Sequence, residues 1–181
     1  MFKFFEKIID ALLRLPQAVI IALLALSFVF ANIFDSMQVA EVYFSTFGSI
    51  NNIVAVFVFG LAFWLIFELF AMIYFRLVKY MIVSSEVMKH KRNMLITLRW
   101  FYFVINLVSG AVRLLYFSNP LTMMLIENIV VFTVEIGMLT LFYFYVRKKY
   151  VPPQLYPRSI VAFCVPYLLF LLLNLFSAAI I

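Results

Sequence analysis

Polar residues along this chain gather into short clusters. Between the clusters lie five long stretches with almost no charge, roughly Gln17–Phe34, Ile50–Val78, Leu95–Phe117, Leu121–Val146 and Ser159–Ile181. About 20 mostly apolar residues carry a helix across a bilayer, and backbone placed in hydrocarbon has to satisfy its own hydrogen bonds. The apolar residues run continuously rather than alternating, which excludes barrel strands. The pattern predicts an all-α, polytopic integral membrane protein with five transmembrane helices forming one domain over residues 17–181.

Ahead of the first run, Phe5, Ile8, Ile9, Leu12 and Leu15 recur at helical spacing, with Lys3, Glu6, Lys7, Asp10 and Arg14 largely on the other side of the wheel. Residues 1–16 therefore read as an amphipathic helix lying on the membrane surface. Pro16 separates it from the first span, because proline disfavours helical backbone in the residue before it. Val29, Phe30 and Ala31 offer a small-residue pattern of the kind a signal peptidase reads, but the amphipathic lead-in argues for a retained segment. The second run makes about 43 Å of helix against a hydrocarbon core of about 30 Å, so it tilts or projects beyond the membrane. Lys79–Asn93 keeps an apolar side through Met81, Ile82, Val83, Val87 and Met88, and is expected to form a helical extension or an interfacial helix.

Charge orients the chain. Of the 14 Lys and Arg residues, all but Arg113 fall on one side once the five runs are threaded through a bilayer. The positive-inside rule then places the N-terminus in the cytoplasm and the C-terminus outside. A hydrophobic content of 67% and a mean hydropathy of +1.13 make lipid the solvent for most of the chain. The net charge of +6 sits at helix ends rather than along a groove with stacking aromatics, so it predicts no nucleic-acid binding. Lys89, Lys91, Arg92, Arg147, Lys148 and Lys149 instead form a face for anionic lipid headgroups or for a partner, either another membrane protein or a second copy. The single cysteine, Cys164, lies inside the fifth run and reads as a small packing residue.

Ionisable groups inside a membrane cost several kcal/mol unless they are paired, hydrated or neutralised, so they are the natural places to look for function. Arg113 and Glu127 lie about 6 and 9 Å from the outer ends of consecutive helices. Ser118, Asn119 and Pro120 alone connect those helices, which predicts a structural ion pair. Glu68 is about 16 Å along its helix from Lys79, and Glu135 about 18 Å from Arg147, so the two carboxylates share a depth near the bilayer middle. Asn128 precedes Glu135 by seven residues, about 20° on the wheel. With Arg99 and Asn106 on the third helix, Glu68, Asn128 and Glu135 outline a candidate polar network, either a proton- or cation-handling site or a packing device. Close helix contacts are expected at Ala18, Ala22 and Ala25 and at the Ser109–Gly110 pair. Pro166 is expected to kink the fifth helix by freeing the carbonyl of Ala162.

Other chemistry finds no support in the residues. His90 is the only histidine and has no cysteine or carboxylate cluster beside it, and no phosphate-binding or nucleophile motif occurs. No metal, cofactor or catalytic group is predicted. The final stretch, Pro157-Arg158-Ser159-Ile160-Val161-Ala162-Phe163-Cys164-Val165-Pro166, leads a connection into a Pro-containing apolar helix. Together with the five-helix layout and scant extramembrane mass, it resembles the Yip1-type membrane domain. The hydropathy pattern leads us to expect a multi-pass membrane protein, in the cell membrane if prokaryotic and in an endomembrane if eukaryotic. Eukaryotic proteins of this layout are associated with small GTPases through a longer N-terminal region than the stretch before Gln17, so GTPase binding is not carried over. The expected function is that of a non-enzymatic membrane scaffold or accessory subunit. A small proton- or cation-coupled transporter or channel subunit using Glu68 and Glu135 is the alternative, and an intramembrane enzyme a distant one.

Overall fold

A computed structural model of the chain describes residues 2–32, 49–115 and 120–180, with side chains placed for 6–32, 54, 56–115, 126 and 129–168. Every element within these residues is helical: α1 (Phe2–Leu12), α2 (Gln17–Ala31), α3 (Ser49–Ile82), the short α4 (Ser85–Lys89), α5 (Lys91–Leu115), α6 (Pro120–Tyr150), a 3₁₀ turn at Pro153–Leu155 and α7 (Tyr156–Ile180). Among the described residues, three helices are long and apolar enough to cross a membrane, over Val56–Ile82, Lys91–Leu115 and Ile129–Tyr150. The first connection, with Asp35 and Glu41, and the Ser118–Asn119 link lie outside the described residues, as do the side chains of Glu127, Asn128 and Asn174.

Local chemistry explains where the helices break. Pro16 takes an extended conformation (φ −56°, ψ 135°) as the cap of α2, and α1 turns from α2 through 108°. α3 has 34 residues, about 51 Å of helix, and so overruns the hydrocarbon core as its length in the sequence predicted. It stops at Val83, whose φ of 48° is rare for a β-branched residue. Ser84 is extended and its hydroxyl accepts a hydrogen bond from the Val87 amide, which starts α4. The Lys79–Asn93 segment is thus a helical extension of α3 followed by a tight elbow into α5. α7 runs through Pro166 as one helix. Near that proline the buried Tyr74 hydroxyl donates to the carbonyl of Phe163 at 3.0 Å, tying α3 to α7 one residue past the carbonyl of Ala162 that Pro166 leaves without its helical donor.

The helices close into a ring in the order α2, α3, α7, α6, α5 and back to α2. Aromatic side chains connect its members. Phe28 of α2 meets Phe67 of α3 (5.6 Å between centroids), and Phe67 meets Tyr102 of α5 (4.4 Å). Phe101, Phe142 and Phe163 link α5, α6 and α7 edge to face at 5.9 and 6.2 Å. Between helices in lipid there is little hydrophobic gain, so such packing and the hydrogen bonds between helices carry the association. Ile9 of α1 is buried in the same core, which pins the amphipathic helix to the bundle.

Small residues set the closest approaches, at positions partly different from those expected. Ala18 and Ala22 are exposed. Instead α2 meets α3 at Gly60, where an added methyl would stand 2.5 Å from the Val29 Cα, and meets α5 at Gly110 against the ring of Phe30. Gly137 faces open space. We expect Gly60→Ala to destabilise by about 1–3 kcal/mol, because the clash is with backbone. Gly110→Ala costs less, since the Phe30 ring can turn, and Gly137→Ala is neutral or stabilising by up to about 1 kcal/mol. Thermal unfolding in one detergent orders the three variants; equal losses at Gly60 and Gly137 would contradict the helix order.

Candidate functional site: a clasped carboxylate and a hydroxyl-bound one

Glu68 projects from the inner face of α3, one residue beyond Phe67, and Arg99 from α5, one turn before Tyr102. The guanidinium grips the carboxylate at both ends, with Nε to Oε1 at 2.9 Å and Nη2 to Oε2 at 2.8 Å. Both side chains are largely withdrawn from the surface, 18% exposed for Glu68 and 7% for Arg99. A bidentate geometry gives two parallel charge-assisted bonds and fixes the rotation of both helices. The remaining nitrogen, Nη1, is buried and makes no hydrogen bond with the described residues.

Glu135 of α6 has different partners. Its Oε1 accepts from the Tyr167 hydroxyl of α7 at 2.5 Å and, at the longer distance of 3.5 Å, from the Tyr102 hydroxyl of α5. Asn106 has a third arrangement: its amide donates to the Ser27 hydroxyl of α2 at 3.0 Å, and that hydroxyl donates in turn to the carbonyl of Leu24 at 2.7 Å. The five residues that outlined one polar network in the sequence therefore divide. Glu68 and Arg99 form a clasp between α3 and α5, Glu135 joins α6 to α7 and α5, and Asn106 joins α5 to α2. The Asn128 side chain lies outside the described residues. Ser27, Tyr102 and Tyr167, which complete these groups, were missed because a lone Ser or Tyr in an apolar run gives no periodic signal. Arg113 sits half-buried in the last turn of α5, and the side chain of its expected partner Glu127 is likewise outside the described residues.

The basic end of the bundle also divides. Lys148 pairs with Glu6 of α1 (2.7 Å to Oε1), and Lys149 pairs with Asp10, which also accepts from the Tyr145 hydroxyl at 3.0 Å. Arg147 lies over the Tyr156 ring, 4.2 Å from its centroid. Lys148 and Lys149 thus also contact α1, and Arg147 contacts the first residue of α7. Lys89, Lys91 and Arg92 are exposed. His90 beside them stacks on Tyr150 at 4.7 Å. No cluster of three metal-ligating side chains occurs among the described residues.

The clasp makes a direct prediction. Glu68→Gln leaves a buried guanidinium without its counter-charge and should cost about 3–5 kcal/mol, whereas the double variant Glu68→Leu with Arg99→Met should recover most of that loss; chemical unfolding of these two variants beside the wild type measures it. A second prediction concerns α1. The hydrogen bond from Lys149 holds the Asp10 carboxyl below its ordinary value of 3.8; partial burial opposes it, and the Tyr145 hydroxyl adds to it. A carboxyl whose folded pKa is depressed stabilises the docked state above its unfolded pKa, and that contribution is lost as pH falls through the folded value. Spin-label distances between α1 and the end of α6 should therefore separate wild type from Asp10→Asn at pH 7, with the difference starting to shrink only below pH 3.8 and vanishing once the pH has fallen through the depressed folded value.

Comparison of the chain with protein-family models, with curated proteins and with solved structures found no match. The resemblance to the Yip1-type membrane domain rests on helix layout and the Pro157–Pro166 segment alone.

Proposed function

We propose that the chain is a multi-pass membrane scaffold or accessory subunit that works through its outer helix faces and its basic end rather than by turnover. In this reading α2, α3, α5, α6 and α7 are five crossings, the N-terminus and α1 are cytoplasmic, and the C-terminus is outside. The observation that carries the proposal is the clasp: Glu68, one of the two carboxylates set near mid-membrane in the sequence, is bound at both oxygens by Arg99. A carboxylate held in that way serves helix register more readily than ion exchange. The resemblance to Yip1-type domains points the same way, toward a small, loop-poor membrane protein.

A transport reading keeps one supporting observation. Glu135 lies within a candidate span and is bound by hydroxyls rather than by a cation, an environment in which a carboxyl can exchange a proton. The two readings separate in proteoliposomes carrying the purified chain and an imposed pH gradient. The scaffold reading expects dissipation no faster than in empty vesicles, for wild type and for Glu135→Gln alike. Flux in the wild type that Glu135→Gln abolishes at unchanged thermal stability would replace it with transport.

A further inference from the structure

The outward face of α3 carries Leu69, Met72 and Ile73, each more than half exposed, and the same stripe continues into Arg76 one turn later. Lys79 follows within another turn. At Val83 the chain folds back, and the elbow through α4 returns Lys91, the first residue of α5, to the same place. The three cations and the apolar stripe line one recess of about 580 Å³. All three cations are exposed, and none forms an ion pair with a described residue.

We infer that this recess seats one anionic phospholipid, with its phosphate held by Arg76, Lys79 and Lys91 and an acyl chain along Leu69, Met72 and Ile73. Charge complementarity selects an anion, since three cations line the recess. The apolar stripe selects a lipid over an acidic peptide. From Arg76 to Leu69 it runs about 10 Å along the helix, into a part of α3 that is long and apolar enough to cross a membrane. A peptide carboxylate would match the cations and leave that stripe without a partner. Tyr80, also in the lining, sits at the level where aromatic side chains favour the membrane interface. Lys148 and Lys149, committed to α1, contribute nothing here, so the lipid is held by the elbow and not by the net charge of the basic end. The inference rests on α3 crossing the bilayer and holds for a scaffold or a transporter.

Native mass spectrometry of the delipidated full-length chain in detergent tests it, with phosphatidylglycerol and phosphatidylcholine of matched chains as probes. The expected result is one bound phosphatidylglycerol, at least about tenfold tighter than phosphatidylcholine. Combined Arg76→Gln, Lys79→Gln and Lys91→Gln should weaken binding at least about tenfold. Lys7→Gln, Arg14→Gln and Arg158→Gln together, an equal loss of charge at exposed positions outside the recess, should weaken it less than about threefold. Met72→Trp, which fills the recess and keeps the cations, should also weaken it severalfold. Equal weakening by the two triple variants would reduce the site to general charge attraction and overturn the inference. Glycerol 3-phosphate binding as tightly as the lipid would overturn it in favour of a soluble phosphate ester. Neither outcome touches the scaffold reading, which stands or falls on flux.

Discussion

A carboxylate and a guanidinium taken out of water each cost several kcal/mol, and they coexist inside a helix bundle only by meeting. Glu68 and Arg99 meet at both carboxylate oxygens. That contact fixes which face of α3 and which face of α5 turn inward, and much of the remaining packing follows. With Glu68 inward, Phe67 reaches Phe28 and Tyr102, and Ala71, Tyr74, Phe75 and Val78 line the core. With Arg99 inward, Phe101 meets Phe142, and Asn106, two turns on, meets Ser27 of α2. The outer face of α3 keeps Leu69, Met72 and Ile73 exposed.

The second organising contact is electrostatic and lies at the basic end. An amphipathic helix on a membrane surface is ordinarily held by its apolar face and by headgroup charge. In this structure α1 is held by protein: Ile9 enters the core, and Glu6 and Asp10 meet the last-turn lysines of α6, where cations also complement the helix dipole. This separates two sets of basic residues that look equivalent along the chain. Lys148 and Lys149 of α6 pair with the carboxylates of α1, whereas Arg76, Lys79 and Lys91 around the α3 elbow are exposed and form no ion pair with a described residue.

Much of the helical architecture was legible because hydropathy and proline placement are local signals. The extent of α3, the break at Pro16 and the helix ahead of it follow from runs of residues read one at a time. The ring order did not follow, since spacing fixes which residues share a face and not which helix that face meets. Matched depth brought Glu68 and Glu135 together on paper, whereas their partners are Arg99 for one and Tyr102 with Tyr167 for the other. Arg99 was recognised as within reach of the buried network, but a bidentate grip depends on the rotation of two helices about their axes. Gly60 went unnoticed because its role is set by Val29 on another helix, and Lys148 and Lys149 appeared free because their acidic partners lie some 140 residues away in sequence.

The central claim is that Glu68 and Arg99 act as a pair whose purpose is to hold α3 against α5. Exchanging them tests it most directly: Glu68→Arg, Arg99→Glu and the combination of both, each measured for monodispersity and thermal unfolding in the same detergent. The account predicts that each single reversal, which buries two like charges together, yields little folded protein, and that the exchanged pair restores a folded bundle. Single reversals as stable as the wild type, or an exchanged pair no better than either single, would contradict it.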